Sequence, residues 1–262
     1  MASGLSRRTA GTLCAFWNRY MSAYEAINRF DDYTLYLDEI VRRLPLREGD
    51  CVLDAGSGTG NLALRLRDTG IRTVGLDFSA VAQRIHREKD PGAQVLQASL
   101  EEPLPFRSGT FDGVACLSVL FALSQEGACR ALREFRRVLR PGGWLVLTSM
   151  RPDTSRLYAT WSHIHSRWRT LSAGAFLREM AGMTAPIARI LYHNWRMRGL
   201  ARHDGYRRLS SEKLIEWVEQ TGFTEIRYGT TFGERFHLLE ARAPAKTRTL
   251  AKKAVLCHKS SG

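Results

Sequence analysis

Cys51-Val52-Leu53-Asp54-Ala55-Gly56-Ser57-Gly58-Thr59-Gly60 decides how this chain is read. Cys51, Val52 and Leu53 form a short apolar run and Asp54 closes it. Three glycines then alternate before Asn61-Leu62-Ala63-Leu64-Arg65-Leu66 resumes at helical spacing. The order is strand, glycine turn, helix. Glycine suits the turn because a residue without Cβ takes positive φ at little cost and lets a ligand lie against the peptide plane at a helix N-terminus. Spacing narrows the ligand. A dinucleotide fingerprint runs Gly-x-Gly-x-x-Gly, whereas Gly56, Gly58 and Gly60 run Gly-x-Gly-x-Gly with Asp54 two residues ahead. The Gly-Lys-Ser/Thr of a P-loop is absent from the stretch.

Residues 52–60 resemble the first motif of the class I S-adenosylmethionine-dependent methyltransferases, Val-Leu-Asp-x-Gly-x-Gly-x-Gly, in the small-molecule group of the ubiquinone and menaquinone biosynthesis type. The resemblance implies S-adenosyl-L-methionine as cofactor. That molecule carries a sulfonium cation and no phosphate, which suits a loop headed by an acid. Its cradle would be Asp54, Gly56, Ser57, Gly58 and Gly60.

Ile71 to Asp77 reads as a second strand ending in an acid. An acid about 20 residues beyond a glycine loop is placed to accept hydrogen bonds from ribose hydroxyls. Asp77 is also placed to N-cap a helix starting at Ser79. By resemblance Phe78 lines the adenine pocket. Gln94 to Phe106 matches the family's third-strand region, whose Asp accepts from the adenine amino group. Ser99 stands at that position here, so the contact passes to Ser99 or to the backbone at Leu100. Phe111 to Leu120 reads as the fourth strand. Ligands of an open parallel sheet bind beyond the carboxyl ends of its strands. Cys116 and Leu117 are thereby directed at the cofactor and Ser118 at the acceptor. Cys116 is either a nucleophile for carbon methylation of a pyrimidine or, more simply, a small apolar strand residue. The Asn/Asp-Pro-Pro-Tyr/Phe that base-amino methyltransferases carry here is missing. A helix over 126–139 then meets Leu139-Arg140-Pro141-Gly142-Gly143, where proline ends the helix and the glycines turn the chain into a fifth strand.

These motifs, in this order, imply a Rossmann-like α/β fold. The expected seven-stranded sheet has strand order 3-2-1-4-5-7-6, with the seventh strand antiparallel and a helical lid inserted after the fifth. The division expected is an N-terminal arm and lid helix (1–30), a cofactor-binding core (31–150), a helical acceptor-binding insertion (151–210), a closing helix and hairpin (211–243), and a basic tail (244–262).

Outside the core the residues speak less directly. The spacing predicts a helix over 12–29 with Phe16, Tyr20, Ala23 and Ile27 on one face. Tyr24-Glu25 resembles the Tyr-Asp pair of a helix that covers the cofactor in this family, which makes Tyr24 a cofactor candidate and Tyr20 an acceptor candidate. A second helix over 33–44 has Leu35, Ile40, Val41 and Leu44 as its apolar positions and ends at Pro45. Helices near 154–171 and 174–198 interleave aromatic residues with arginine. Trp161, Trp168, Tyr192 and Trp195 are acceptor candidates there. Met180, Met183, Ile187, Ile190 and Leu191 favour an apolar acceptor, and RNA stacking is the competing reading. His163, His165 and His193 are general-base candidates, since histidine titrates near working pH. His163-x-His165 lacks a third ligand at metal spacing. A helix over 207–222 ends at Gly222, and Phe223–Tyr228 and Arg235–Ala241 read as a closing hairpin.

At 262 residues with 44% hydrophobic content the chain can bury a full core, and no apolar run approaches the roughly 20 residues of a membrane span. Cys14, Cys51, Cys116, Cys129 and Cys257 are odd in number and scattered, pointing to free thiols in a reducing, cytoplasmic compartment. The arginines at 7 and 8 precede the first acid, Glu25, so a cleaved organelle presequence is one reading of the start and a helical arm is the simpler one. The net charge of +13 is uneven: residues 151–210 hold eleven Arg against Asp153, Glu179 and Asp204, and residues 241–262 hold six Lys and Arg with no acid. Such a distribution suits an anionic surface, either a membrane touched peripherally or RNA. The sequence thus describes a methyltransferase for a lipophilic small-molecule or lipid acceptor. An RNA methyltransferase and a non-catalytic binding protein of the same fold are the alternatives. It does not fix an oligomeric state.

Overall fold

The computed structural model describes residues 7–152, 154, 164–165, 167–203 and 209–245. In chain order the elements are α1 (Arg7–Tyr24) with a 3-10 turn (Glu25–Arg29), α2 (Asp31–Arg43), β1 (Cys51–Ala55), α3 (Asn61–Arg67), β2 (Arg72–Asp77) and α4 (Ala80–Lys89). There follow β3 (Gln94–Gln97), β4 (Phe111–Leu117), α5 (Gln125–Val138), β5 (Leu139–Met150), α6 (Ala173–His203), α7 (Ser211–Gln220), β6 (Thr224–Thr231) and β7 (Phe236–Arg242). The seven strands lie in the order β3-β2-β1-β4-β5-β7-β6. β1, β2, β3, β4 and β5 run parallel, with Cys51 opposite Arg72 and Leu53 opposite Val114, and β7 is antiparallel to β5 and to β6. Both the expected order and the antiparallel seventh strand are present.

Side chains alternate across the strands, so each strand feeds two cores. Leu53, Val114, Cys116, Leu145 and Leu147 pack with Leu132 and Phe135 of α5 and Leu214 and Trp217 of α7. Val52, Ala115 and Val146 pack on the other face with Tyr33, Tyr36, Leu37 and Ile40 of α2 and with Met183 of α6. The parallel arrangement brings the carboxyl ends of β1, β2, β4 and β5 to one edge, where α1 and α2 close over them.

Several local expectations change. The first helix stops at Tyr24 and continues as a 3-10 turn. In α2, Leu35 is 64% exposed, and the buried stripe is Tyr33, Tyr36, Leu37 and Ile40, so the helix is turned by about one position from the face the aliphatic residues suggested. β4 ends at Leu117, because Ser118 takes φ 55. Asp77 does not cap α4. Ser79 does, its hydroxyl accepting from Ala82 N at 3.1 Å, and Asp77 instead accepts from Ser79 N at 2.8 Å. The Pro141-Gly142-Gly143 segment lies inside β5 as a bulge: Leu139 already pairs with Phe111, and pairing resumes at Trp144 opposite Gly113. The second helix of the insertion is longer than expected, running to His203, and most of the first lies outside the described residues.

Candidate active site

The glycine loop forms the floor. Gly56, Gly58 and Gly60 have φ of 80, 52 and 81, all in the left-handed region. A Cβ on Gly56 would collide with the Val119 side chain, and one on Gly60 with the His86 ring. The loop is pinned to the second strand, with Gly56 N and Ser57 N both donating to Leu76 O at 2.7 and 3.0 Å. Asp77 Oδ2 accepts from Gly58 N at 3.0 Å, so one carboxylate holds both the loop and the start of α4.

Asp54 sits below the loop, 3% exposed, and its Oδ2 has no hydrogen-bond partner. Burial, and then the neighbouring Asp77 charge, push its carboxyl up to about 7. Ser57 Oγ is likewise buried without a partner. A buried carboxylate oxygen left unpaired is costly, and a cation or hydrogen-bond donor lying in the cradle would satisfy it. The floor thus fits a group that offers positive charge and lies flat on glycine backbone.

The roof is α1. Phe16, Tyr20 and Met21 are buried, and Met21 Sδ lies 3.8 Å from where a Gly58 Cβ would be. Asn18 Oδ1 accepts from Ser79 Oγ at 2.6 Å, tying the helix to the α4 cap. Glu25 completes the tie. It accepts from Thr59 Oγ1 within the glycine loop and from Lys89 Nζ at 3.2 Å. Lys89 also donates to Asn61 Oδ1 at 2.6 Å, and Asn28 donates to the same oxygen at 3.1 Å. Burial draws the Lys89 pKa down, with Glu25 opposing it.

A row of rings crosses the carboxyl ends of the strands: Tyr20 to Tyr24 at 5.6 Å, Tyr24 to Tyr33 at 6.1 Å and Tyr33 to Tyr36 at 5.9 Å. Tyr24 donates to Tyr33 OH at 3.3 Å, and Tyr36 OH bonds Thr148 Oγ1 at 2.7 Å, which accepts in turn from Ser118 N at 3.2 Å. Burial pushes the Tyr24, Tyr33 and Tyr36 hydroxyls up, so all three stay protonated. Of the histidine candidates among the described residues, His193 reaches this roof and His165 does not. His193 is 8% exposed, edge-on to Phe16 at 5.9 Å and to Tyr20 at 5.8 Å. Its Nδ1 has no partner, and burial, then Arg196 and Arg19, lower its pKa.

Other candidates stand apart. Cys116 is fully buried and points at α5, since strand alternation sends Leu117 and not Cys116 toward the lid side; burial also pushes its thiol well up, so it is no nucleophile. Leu100 is buried in the same α5-side core. Ser99 Oγ accepts from Glu101 N at 3.1 Å, and Phe78, half-buried, accepts from Gln97 Nε2 through its carbonyl at 3.1 Å. Trp168, Tyr192 and Trp195 are 64, 53 and 66% exposed. On α6 the helical phase that buries Met183 turns Tyr192 and Trp195 outward, so neither lines the cleft. His165 is exposed, and Trp161 and His163 lie outside the described residues. Sequence reasoning missed Tyr33, Tyr36, Asn61, Lys89 and Thr148. The tyrosines share a face with Leu37, Ile40 and Leu44 at helical spacing, a legible signal; the polar partners carry none.

Fold and cradle define a class I S-adenosylmethionine-dependent methyltransferase. A methyltransferase-domain family profile matches residues 53–147. The chain is 33% identical over 190 residues to a demethylmenaquinone methyltransferase from Deinococcus radiodurans, spanning 70% of this chain and 71% of that one. It is 29% identical to a malonyl-[acyl-carrier protein] O-methyltransferase from Enterobacter lignolyticus, over 73% of this chain and 84% of that one. A solved S-adenosylmethionine-dependent methyltransferase from Thermotoga maritima, described as a possible histamine N-methyltransferase, superposes with TM-score 0.57 at 20% identity, covering 87% and 99% of the two chains. The chain belongs to this methyltransferase family, and its cofactor is S-adenosylmethionine.

Proposed function

We propose that the protein methylates a lipophilic small molecule held between the tyrosine row and the inner face of α6. The observation that supports this is the apolar packing where α6 meets the strand ends: Met180, Met183 and Ile187 lie in one cluster with Tyr24, Tyr33, Tyr36 and Leu117. Apolar walls with a few fixed polar groups are what an apolar acceptor needs. The two relatives are named for different acceptors, malonyl-acyl carrier protein and demethylmenaquinone, and the apolar packing around α6 favours a lipophilic one.

Bound S-adenosylmethionine supplies an electrophilic methyl group whose transfer leaves a neutral thioether. The chain's task is to align, to shield and, for an O–H or N–H acceptor, to take a proton. Gly56, Ser57, Gly58 and Gly60 would hold the cofactor, Asp54 would meet its positive charge, and Asp77, already fixed by two backbone donors, would receive the ribose hydroxyls. Met21, buried, and Tyr24, half-buried, would exclude water from above. Ser118 and the Tyr36–Thr148 pair present hydroxyls at the strand ends to orient the acceptor's polar group. His193, kept neutral by burial, is the proton acceptor.

The test is transfer of labelled methyl from S-adenosylmethionine into host extract separated into lipid, RNA and polar-metabolite fractions. Label in the lipid fraction, lowered at least tenfold by Tyr36→Phe together with Met183→Ala, is the expected result. Label confined to RNA or to polar metabolites would overturn the reading.

A further inference from the structure

The outward face of α6 carries no function in the reading above, and its composition is not that of a solvated helix. The inner face turns toward the tyrosine row, with Met183 1% exposed and Met180 and Ile187 half-buried. An ordinary surface helix would then turn charged residues to water. Here the exposed stripe runs Leu177, Ala181, Ala185, Ala188, Tyr192 and Trp195, recurring at three, four and seven residues along about 27 Å of helix. Leu177 and Trp195 are each 66% exposed. Arg178, Arg189 and Arg196 follow one edge of that stripe at the same periodicity. Among the described residues of 167–203 the one acid is Glu179, half-buried and engaged with Arg167 at 2.8 Å.

We propose that this face seats the protein on an anionic lipid surface, its apolar stripe entering the headgroup boundary and its arginines meeting lipid phosphates. The proposal rests on the lipophilic-acceptor reading only for its purpose, which is to bring the cleft to the layer where such a molecule dissolves. Charge and chemistry choose this occupant. Leu177, Ala181, Ala185 and Ala188 offer a nucleotide neither stacking nor hydrogen bonds over most of the stripe, whereas aromatic residues confined to one end and arginines along one edge suit an interface that is apolar inside and negative outside. Among the described residues no helix is long and apolar enough to cross a membrane, so the contact is peripheral.

Full-length protein is floated with vesicles of phosphatidylcholine alone and of phosphatidylcholine with about one-third phosphatidylglycerol, near physiological salt. Binding at least tenfold tighter to the anionic vesicles is expected. Arg178→Glu with Arg189→Glu should remove that preference, and Trp195→Ala should weaken binding to both compositions and abolish most of the blue shift in tryptophan emission. Calorimetric cofactor affinity at the wild-type value shows that each variant is folded; if the charge reversals misfold, Arg178→Gln with Arg189→Gln serves instead. Several results would sink the proposal. They are failure to bind vesicles, binding lost only on reversing the tail charges Lys246, Lys252 and Lys253, a Trp195-dependent dimer in sedimentation, and an α6-dependent affinity for RNA exceeding that for vesicles. Vesicle binding without label in any lipid fraction would spare this surface and overturn the acceptor reading. Lipid methylation in detergent without vesicle binding would do the reverse.

Discussion

In the floor of the cleft, Gly56, Gly58 and Gly60 are chosen by backbone shape. Each needs positive φ, and two of them abut Val119 and His86 so closely that any side chain would displace the loop. In the roof, α1 and the 3-10 turn that follows it are held by side-chain partners: Asn18 on Ser79, Glu25 on Thr59 and Lys89, and Asn28 on Asn61. The difference teaches where specificity of sequence resides. A backbone requirement admits one residue type at a fixed spacing, while a polar tie can be made by many pairs. The floor is therefore rigid and intolerant, and the roof adjustable.

The largest effect should come from breaking the floor. Gly60→Ala places a methyl group in the His86 ring at a left-handed position. A residue held there costs about 1–3 kcal/mol in strain alone, and cofactor binding should be lost in calorimetry. Adding His86→Ala should return part of the stability but leave the strain. Next comes Asp54→Asn. The folded carboxyl is held up at about 7, above its unfolded range, so burying it costs nothing while protonated and progressively more as pH rises through that window. The variant should match the wild type near pH 4 and exceed it by up to roughly 4 kcal/mol at pH 8. Its cofactor affinity at pH 8 should nonetheless fall at least tenfold, and denaturation and titration across pH would separate the two.

Opening the roof should matter less. Lys89→Met or Glu25→Gln leaves the floor intact, and stopped-flow displacement should show cofactor release several-fold faster with stability lowered by about 1–2 kcal/mol. A change in equilibrium stability without faster release would break the contrast between a rigid floor and an adjustable roof. Smallest is Tyr36→Phe, which removes one bond to Thr148 and should cost about 1 kcal/mol in chemical denaturation, raising KM for the acceptor more than it lowers kcat.

The same contrast explains what could be read in advance. The sheet order, the glycine loop, the place of Asp77 at the end of β2 and the closing hairpin are legible, because strand–loop–helix spacing leaves few alternatives. Position near the carboxyl end of β4 directs Cys116 at the cofactor, but alternation along the strand sends it to the α5 core. Trp195 and Tyr192 looked like acceptor contacts from composition, and only the phase set by Met183 turns them outward. Lys89 was invisible: its partner Glu25 lies 64 positions away and no pattern links them.

One feature of α1 bears on the order of events in turnover. Met21 and Glu25 face the glycine loop while Phe16 and Tyr20 face His193, so a single helix walls both compartments. On the proposed site, that shared wall predicts ordered binding, cofactor first and acceptor second, with the demethylated cofactor leaving last. Product inhibition by S-adenosylhomocysteine should then compete with the cofactor and not with the acceptor.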